Sequence, residues 1–225
     1  MSHAQKHFQR VTAQLQAQSA GVVKQAGDLH NKHRTQYEKM LLLLDTHQQQ
    51  LRQIQSIEKR AELKAQFLPE YDAYITGLLE AGTSPQDDVL VTLMMWNFDC
   101  DNFERALVLA EYALTNNMAM PERFKRTLGC VIAEETADAM LKNNAFSAQE
   151  KVDLLLKTQQ LTTGQDMPDE VRAKLLKALG YAQRDCGQLP QALASLEEAV
   201  SKHTKVGVKK DIESLQRQIK KAGSD

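Results

Sequence analysis

The sequence has few cysteines, prolines and aromatic residues, and it contains no long apolar run. Its three cysteines, Cys100, Cys130 and Cys186, form no CxxC pair. This pattern favours free thiols over a disulfide or metal ligands, and it indicates a reducing compartment. The longest apolar block, Met40–Leu44, is far shorter than the about 20 residues of a transmembrane helix. The first thirty residues lack the apolar core of a signal peptide. We therefore expect a cytoplasmic protein that is not secreted and has no membrane partner.

The motifs of several enzyme classes are also missing. No GxxxxGK[ST] phosphate loop, GxGxxG turn or GxSxG elbow is present, so neither ATP hydrolysis nor esterase chemistry has a basis in the sequence. We expect no cofactor and no catalytic residue. Three acidic pairs could be considered as metal sites of a nuclease. These pairs are Asp87-Asp88, Asp99-x-Asp101 and Glu134-Glu135. Adjacent helical acids such as Asp87 and Asp88 do not converge on one ion, and Asp99 matches Asp185 as a turn residue of the repeat, which favours a structural role.

Two further patterns could suggest metal chemistry. Asp169 followed by Lys174 is similar to the end of a nuclease signature, but that motif needs strands, whereas this segment has helix-start signals. His3 with His7, and His30 with His33, could each share a helix face, yet no cysteine or acid completes four zinc ligands. We expect no metal site.

The residues that are present predict an all-α fold. Hydrophobic residues make up 42% of the chain, which suffices for a packed core, and no segment shows sustained period-two alternation. Residues 86–114 and 172–200 match with an offset of 86, with eight identities such as Asp99 with Asp185 and Ala106 with Ala192. The unit resembles a tetratricopeptide-type helical hairpin, a kind of repeat that usually binds partners.

The sequence predicts three regions. Residues 1–27 form a flexible N-terminal arm, with a short frayed helix near His7–Gln18. Residues 28–67 contain no proline or glycine and predict one long basic helix. A heptad stripe from Tyr37 to Ile54 on this helix is compatible with self-association or with packing on the body. Residues 68–225 form a helical-repeat body whose helix-start signals lie at Ser84-Pro85, Pro121, Ser147 and Asp166–Glu170.

Charge is distributed unevenly along the chain, although the formal net charge is only −1. Residues 1–66 carry ten Lys/Arg against five Asp/Glu, and residues 67–120 carry one against nine. A basic end on an acidic body is compatible with a nucleic-acid contact or with a solvated helix face. Seven cations of the predicted long helix could reach DNA phosphates: Lys32, Arg34, Lys39, Arg52, Lys59, Arg60 and Lys64.

Four segments resemble the small terminase subunit of cohesive-end temperate tailed phages, a family often called the terminase endonuclease subunit. They are residues 84–96, 118–127, 166–175 and 207–213. The resemblance implies a protein of the host-cell cytoplasm that binds the cohesive-end site of concatemeric double-stranded phage DNA. It also implies a homo-oligomeric ring and a large terminase subunit as partner. Some relatives end in a Lys/Pro-rich tail that this chain lacks, which favours the N-terminal basic region as the DNA contact.

Three functions follow as hypotheses. The first is a small terminase subunit that recruits and directs the large subunit for cleavage and genome packaging, without a catalytic centre of its own. The second is a metal-dependent endonuclease in its own right. The third is a protein-only helical-repeat adaptor.

Overall fold

The computed structural model describes residues 2–20, 35–121 and 125–222, and the side chains of these ranges except at residues 18–20. All regular secondary structure in these ranges is helical, which confirms the predicted all-α fold. None of the described helices has the length and apolarity needed to cross a membrane. The helices are α1 His3–Ala20, α2 Gln36–Arg52, α3 Ile57–Phe67, α4 Asp72–Ala81, α5 Asp88–Asp99, α6 Phe103–Thr115, α7 Leu128–Lys142, α8 Ala148–Leu161, α9 Asp169–Asp185, α10 Leu189–Lys202 and α11 Lys209–Ala222.

The chain divides into two compact units, residues 1–123 and residues 124–225. In the first unit, α1 packs on α4, α5 pairs with α6, and α2 and α3 contact α5. In the second unit, α9 is the central helix and contacts α7, α8 and α10, while α11 packs on α10. Leu196, Val208 and Leu215 are fully buried in the core that α10 and α11 share.

The single long helix expected over residues 28–67 is interrupted in the part that the structure describes. Helix α2 ends at Arg52, and Ser56 begins α3 by accepting a hydrogen bond from the backbone N–H of Lys59 at 3.3 Å. The contact between two aromatic rings shows that the chain reverses direction here: the Phe67 ring stacks on the His47 ring, with ring centroids 3.7 Å apart. A straight helix would separate these residues by about 30 Å. The aromatic contact therefore requires a corner, at residues 53–56.

The predicted apolar stripe of α2 is buried within the first unit. Met40, Leu44, His47 and Leu51 are each at most 7% exposed. The Nδ1 atom of His47 lies 2.8 Å from the Tyr71 hydroxyl, and Tyr71 also packs edge-on against Trp96. The stripe thus packs on the body, which was one of the two arrangements compatible with the sequence.

Helix α1 is longer than the short frayed helix expected near His7–Gln18. It packs closely on α4, where Ala13 is buried against Gly77. A Cβ atom at Gly77 would lie 2.3 Å from the carbonyl oxygen of Arg10, so only glycine fits this crossing. The remaining residues of the predicted arm, residue 1 and residues 21–27, lie outside the described part of the chain.

The two matched segments form hairpins with the same turn. Cys100 and Cys186 each follow the last residue of their first helix, and their N–H groups donate to the carbonyls of Trp96 and Ala182, four residues earlier. The next position has a positive φ in both hairpins, 57° at Asp101 and 75° at Gly187. The offset of 86 thus relates two equivalent helical hairpins, one in each unit. Their identification as tetratricopeptide-type units stays a prediction.

The helix-start signals of the sequence are only partly correct. Ser147 forms the expected capping box with Glu150 at the start of α8. Helix α5, however, is capped by Asp87 instead of Ser84, because the buried Asp87 carboxylate accepts the N–H of Leu90. Helix α7 begins after Thr127, several residues beyond Pro121, since the Thr127 hydroxyl accepts the N–H of Cys130.

Candidate nucleic-acid interface

The described part of the chain contains five of the seven predicted DNA-binding cations. Lys32 and Arg34 lie outside the described residues. The other five are divided between the start of α2, the corner between α2 and α3, and the contact of α3 with α5.

Three of these cations flank the corner: Arg52, Lys59 and Arg60, called here the corner cluster. Arg52 and Lys59 are exposed, and Arg60 is half-buried. Arg52 lies in the last turn of α2, where a cation interacts favourably with the helix dipole. Lys59 and Arg60 lie in the first turn of α3, where the dipole disfavours a cation. Within the described ranges none of the three forms a salt bridge, so their charges remain available to an anionic partner.

Lys64 is engaged inside the first unit. Its Nζ donates to the Asp99 carboxylate at 2.6 Å, and the Lys64 side chain is only 16% exposed. Asp99 is the last residue of α5, so this pair ties α3 to the end of α5. Lys64 thus has a structural partner that the sequence did not reveal.

Lys39 is exposed at the start of α2 and stands apart from the corner cluster. It precedes Arg52 by thirteen residues, which corresponds to about 20 Å along the helix and about 140° around it. The two cations therefore cannot contact one short stretch of DNA backbone together. Lys39 lines a groove between α1 and α2 instead.

A second set of exposed cations lies in the other unit and was missed by the sequence reasoning. It surrounds the turn between α10 and α11 and comprises Lys202, Lys205, Lys209 and Lys210. The signal for it is local: the segment from 199 to 210 contains no acidic residue. The near-neutral charge of the C-terminal half as a whole concealed this turn.

The acidic pair Asp87-Asp88 serves structural contacts. The Asp87 carboxylate is 3% exposed, accepts the Tyr74 hydroxyl, and caps α5 through the N–H of Leu90 at 2.8 Å. Burial raises the pKa of Asp87 above its usual range, and burial together with Asp87 raises that of Tyr74. Asp88 accepts a hydrogen bond from Gln86 at 2.8 Å.

Glu134, another acid considered for nuclease chemistry, has two basic partners. Lys174 lies 3.5 Å from Glu134 and 3.0 Å from Asp138, so it bridges two acids of α7 instead of standing beside Asp169. Arg126 also pairs with Glu134. Within the described residues, no three His, Cys, Asp or Glu side chains lie close enough to hold a metal ion.

The histidines and cysteines considered as metal ligands do not form a metal-binding cluster in the described part of the chain either. His3 and His7 are exposed on α1, whereas His30 and His33 lie outside the described residues. All three cysteines are free thiols; Cys130 is buried, and Cys100 and Cys186 are half-buried at the hairpin turns. The Cys100 thiol donates to the carbonyl of Ala61 at 3.3 Å.

Comparison with known proteins places these features in a family. Residues 41–170 match the family model of the phage small terminase subunit. The chain is 42% identical over 221 residues to the "Terminase, endonuclease subunit" of Escherichia phage P2. This alignment covers 97% of this chain and 86% of that protein. It is 35% identical over 78 residues to the "Probable terminase, endonuclease subunit" of Haemophilus phage HP1 (strain HP1c1), covering 35% of this chain and 28% of that protein. No solved structure matches. The chain therefore belongs to the phage small terminase subunit family, and its role lies in the packaging of phage DNA by terminase.

Proposed function

We propose that this protein binds the cohesive-end site of concatemeric phage DNA and directs the large terminase subunit to it for cleavage and genome packaging. The observation that carries the DNA half is the corner cluster. Arg52, Lys59 and Arg60 lie together in sequence, have no acidic partner among the described residues, and belong to the basic end of the chain. Phosphate oxygens are the anions that such a cluster would meet on DNA.

The corner cluster would position DNA without reading its sequence. Lysine and arginine contacts to phosphates fix register and orientation, whereas base edges carry the sequence information. A single three-cation corner would bind weakly at physiological salt. A homo-oligomeric ring would present many such corners at once, and linked weak contacts gain affinity through effective concentration.

The large terminase subunit is the proposed protein partner of the body, residues 68–225. Each of the two hairpins with equivalent turns is, within its own unit, the kind of helical surface on which repeat proteins bind other chains. In this proposal the basic end holds DNA and the hairpins hold the large subunit.

The DNA half is tested by the salt dependence of binding. The full-length Arg52→Gln/Lys59→Gln/Arg60→Gln variant is compared with the wild type on a duplex that carries the cohesive-end site. Each lost phosphate contact should lower the slope of log Kd against log salt by about 0.9, so three lost contacts lower it by about 2 to 3. The matched control is Lys205→Gln/Lys209→Gln/Lys210→Gln, which removes the same charge from the other unit.

The outcome distinguishes the two basic surfaces. An unchanged slope in the corner variant with a reduced slope in the control would move the DNA contact to the turn between α10 and α11. Equal small decreases of the slope in both variants would show that the effect comes from net charge alone.

A second candidate function is suggested by the name of the phage P2 relative, which is called an endonuclease subunit. Purified protein incubated with Mg²⁺ and cohesive-end DNA, without the large subunit, would then nick the DNA. Glu134→Gln and Asp138→Asn should abolish nicking if this acidic pair of α7 took part. Nicking that depends entirely on added large subunit would exclude this candidate.

A further inference from the structure

An open groove of about 370 Å³ lies between α1 and α2 in the first unit. Its volume falls within the range of small-molecule sites, about 300–1,000 Å³. The described residues that line it combine an aromatic ring, several amides and one cation: Ala4, Gln5, Phe8, Gln9, Gln36 and Lys39.

The aromatic ring of the groove is exposed to solvent. Phe8 is 65% exposed, although its helix has a well-packed opposite face where Ala13 is 2% exposed against α4. An exposed phenylalanine beside polar amides is a surface on which another flat group can stack. Stacking of this kind is tolerant of base identity, because every base has a π-face.

The amide of Gln36 provides an unsatisfied donor in the same groove. Gln36 is 3% exposed, and its side-chain nitrogen has no hydrogen-bond partner among the described residues. Its backbone N–H is already bonded to the side-chain oxygen of Gln16 at 3.0 Å, so the orphan is the side-chain NH₂ alone. A buried donor without an acceptor is costly, and a ligand that brought a carbonyl or ring nitrogen would remove that cost.

Lys39 supplies the charge. It follows Gln36 by three residues and therefore lies on the same side of α2. It is exposed and forms no salt bridge within the described ranges. The groove thus offers a stacking surface, a buried hydrogen-bond donor and a cation, which match the base ring, the base edge and the phosphate of one nucleotide.

We propose that the α1–α2 groove binds an unpaired nucleotide of single-stranded DNA, such as a base in the overhang of a cohesive end. A base inside a duplex does not fit, because both of its faces are stacked and its pairing edge is occupied. Phe8 stacks on the base, Gln36 donates to its edge, and Lys39 contacts its phosphate. This inference rests on the proposed function and extends it from the phosphates of the duplex to the bases of its end.

The test compares two probes on the full-length protein by fluorescence anisotropy. One is a duplex that carries the cohesive-end site and ends in a single-stranded thymine overhang, and the other is the same duplex with blunt ends. The wild type should prefer the overhang probe. Phe8→Ala should reduce that preference by about 5- to 150-fold, the effect of losing one base stack, and Phe8→Trp should preserve it.

Leu15→Ala is the matched control, because Leu15 is 60% exposed and lies two turns further along the same face of α1. It should leave the preference at the wild-type value. A direct readout is the additional indole emission of the Phe8→Trp variant, which the overhang probe should quench and the blunt probe should not.

Each outcome separates this inference from the proposed function. If the wild type binds both probes equally and Phe8→Ala changes neither, the groove proposal is wrong while DNA binding stands. If the wild type binds neither probe, the proposed function itself fails. If Leu15→Ala and Phe8→Ala reduce the preference alike, the effect belongs to the apolar face of α1, and the nucleotide site is overturned.

Discussion

The Asp87 carboxylate joins a helix cap and a tyrosine hydroxyl in the interior of the first unit. We expect Asp87→Ala to lower the free energy of unfolding by about 1–3 kcal/mol, because the Leu90 N–H and the Tyr74 hydroxyl both lose their acceptor. Asp87→Asn should cost less, since asparagine is also a good cap. Urea denaturation of the two variants measures the difference, and equal losses would show that the cap is unimportant.

The raised pKa of Asp87 gives this comparison a pH dependence. Because the folded protein binds this proton more tightly than the unfolded chain does, stability rises as pH falls through the raised pKa. The wild type should therefore gain stability relative to Asp87→Asn between pH 7 and pH 4. A constant difference across this range would contradict the assignment of the shift to Asp87.

For His47 we predict a pH dependence of stability with the opposite sign to that of Asp87. Burial lowers the pKa of His47 below its usual value near 6.5, while Glu70, 3.6 Å from its Nε2, partly offsets that effect. The unfolded chain then takes up a proton before the folded protein does, so stability is lost as pH falls through about 6.5 toward the lowered pKa. Thermal melts from pH 7.5 to 5.5 should show this loss in the wild type, and His47→Gln should flatten it.

At the scale of the helix, the crossing of α1 on α4 depends on Gly77. Alanine is normally favoured over glycine in a helix by about 1 kcal/mol. Here the added methyl would overlap the Arg10 carbonyl, which is backbone and cannot rotate away. We expect Gly77→Ala to lower the free energy of unfolding by about 1–3 kcal/mol and to increase hydrogen exchange in α1. A stabilised variant would show that α1 does not pack at this position.

Helix type and the repeated hairpin could be predicted from the sequence because both depend on local patterns. The shared turn around Cys100 and Cys186 follows from residues within a few positions of each other. The corner between α2 and α3 could not be predicted from the sequence, because residues 28–67 contain neither glycine nor proline and Ser56 alone is a weak helix-start signal. Only the tertiary stacking of His47 on Phe67 requires the break.

The candidate site shows the same division between local and tertiary information. The seven cations could be selected from the sequence, but the Lys64 contact joins residues 35 positions apart. The groove depends on Phe8 meeting Gln36 across two helices, and no spacing rule relates these positions. The local signal available in the sequence was a phenylalanine among glutamines in the segment that forms α1.

At the scale of the whole molecule, the position of the α2 stripe constrains how copies of the chain can assemble. Because Met40 is 4% exposed inside the first unit, it is not available as a coiled-coil seam between copies. A ring would have to use faces that remain exposed. Substitutions in the buried stripe of α2 should therefore change the stability of the first unit without changing the assembly of the protein.

Met40→Ala should therefore lower the free energy of unfolding by about 2–5 kcal/mol, the usual cost of such a core truncation, without changing the particle mass. Mass photometry well below the melting temperature, with and without cohesive-end DNA, measures the assembly, and thermal melts measure the stability. Leu42→Ala is the matched control, since Leu42 is two residues away but 45% exposed, and it should leave the stability nearly unchanged. Smaller particles from Met40→Ala at unchanged stability would instead identify the stripe as a contact between copies.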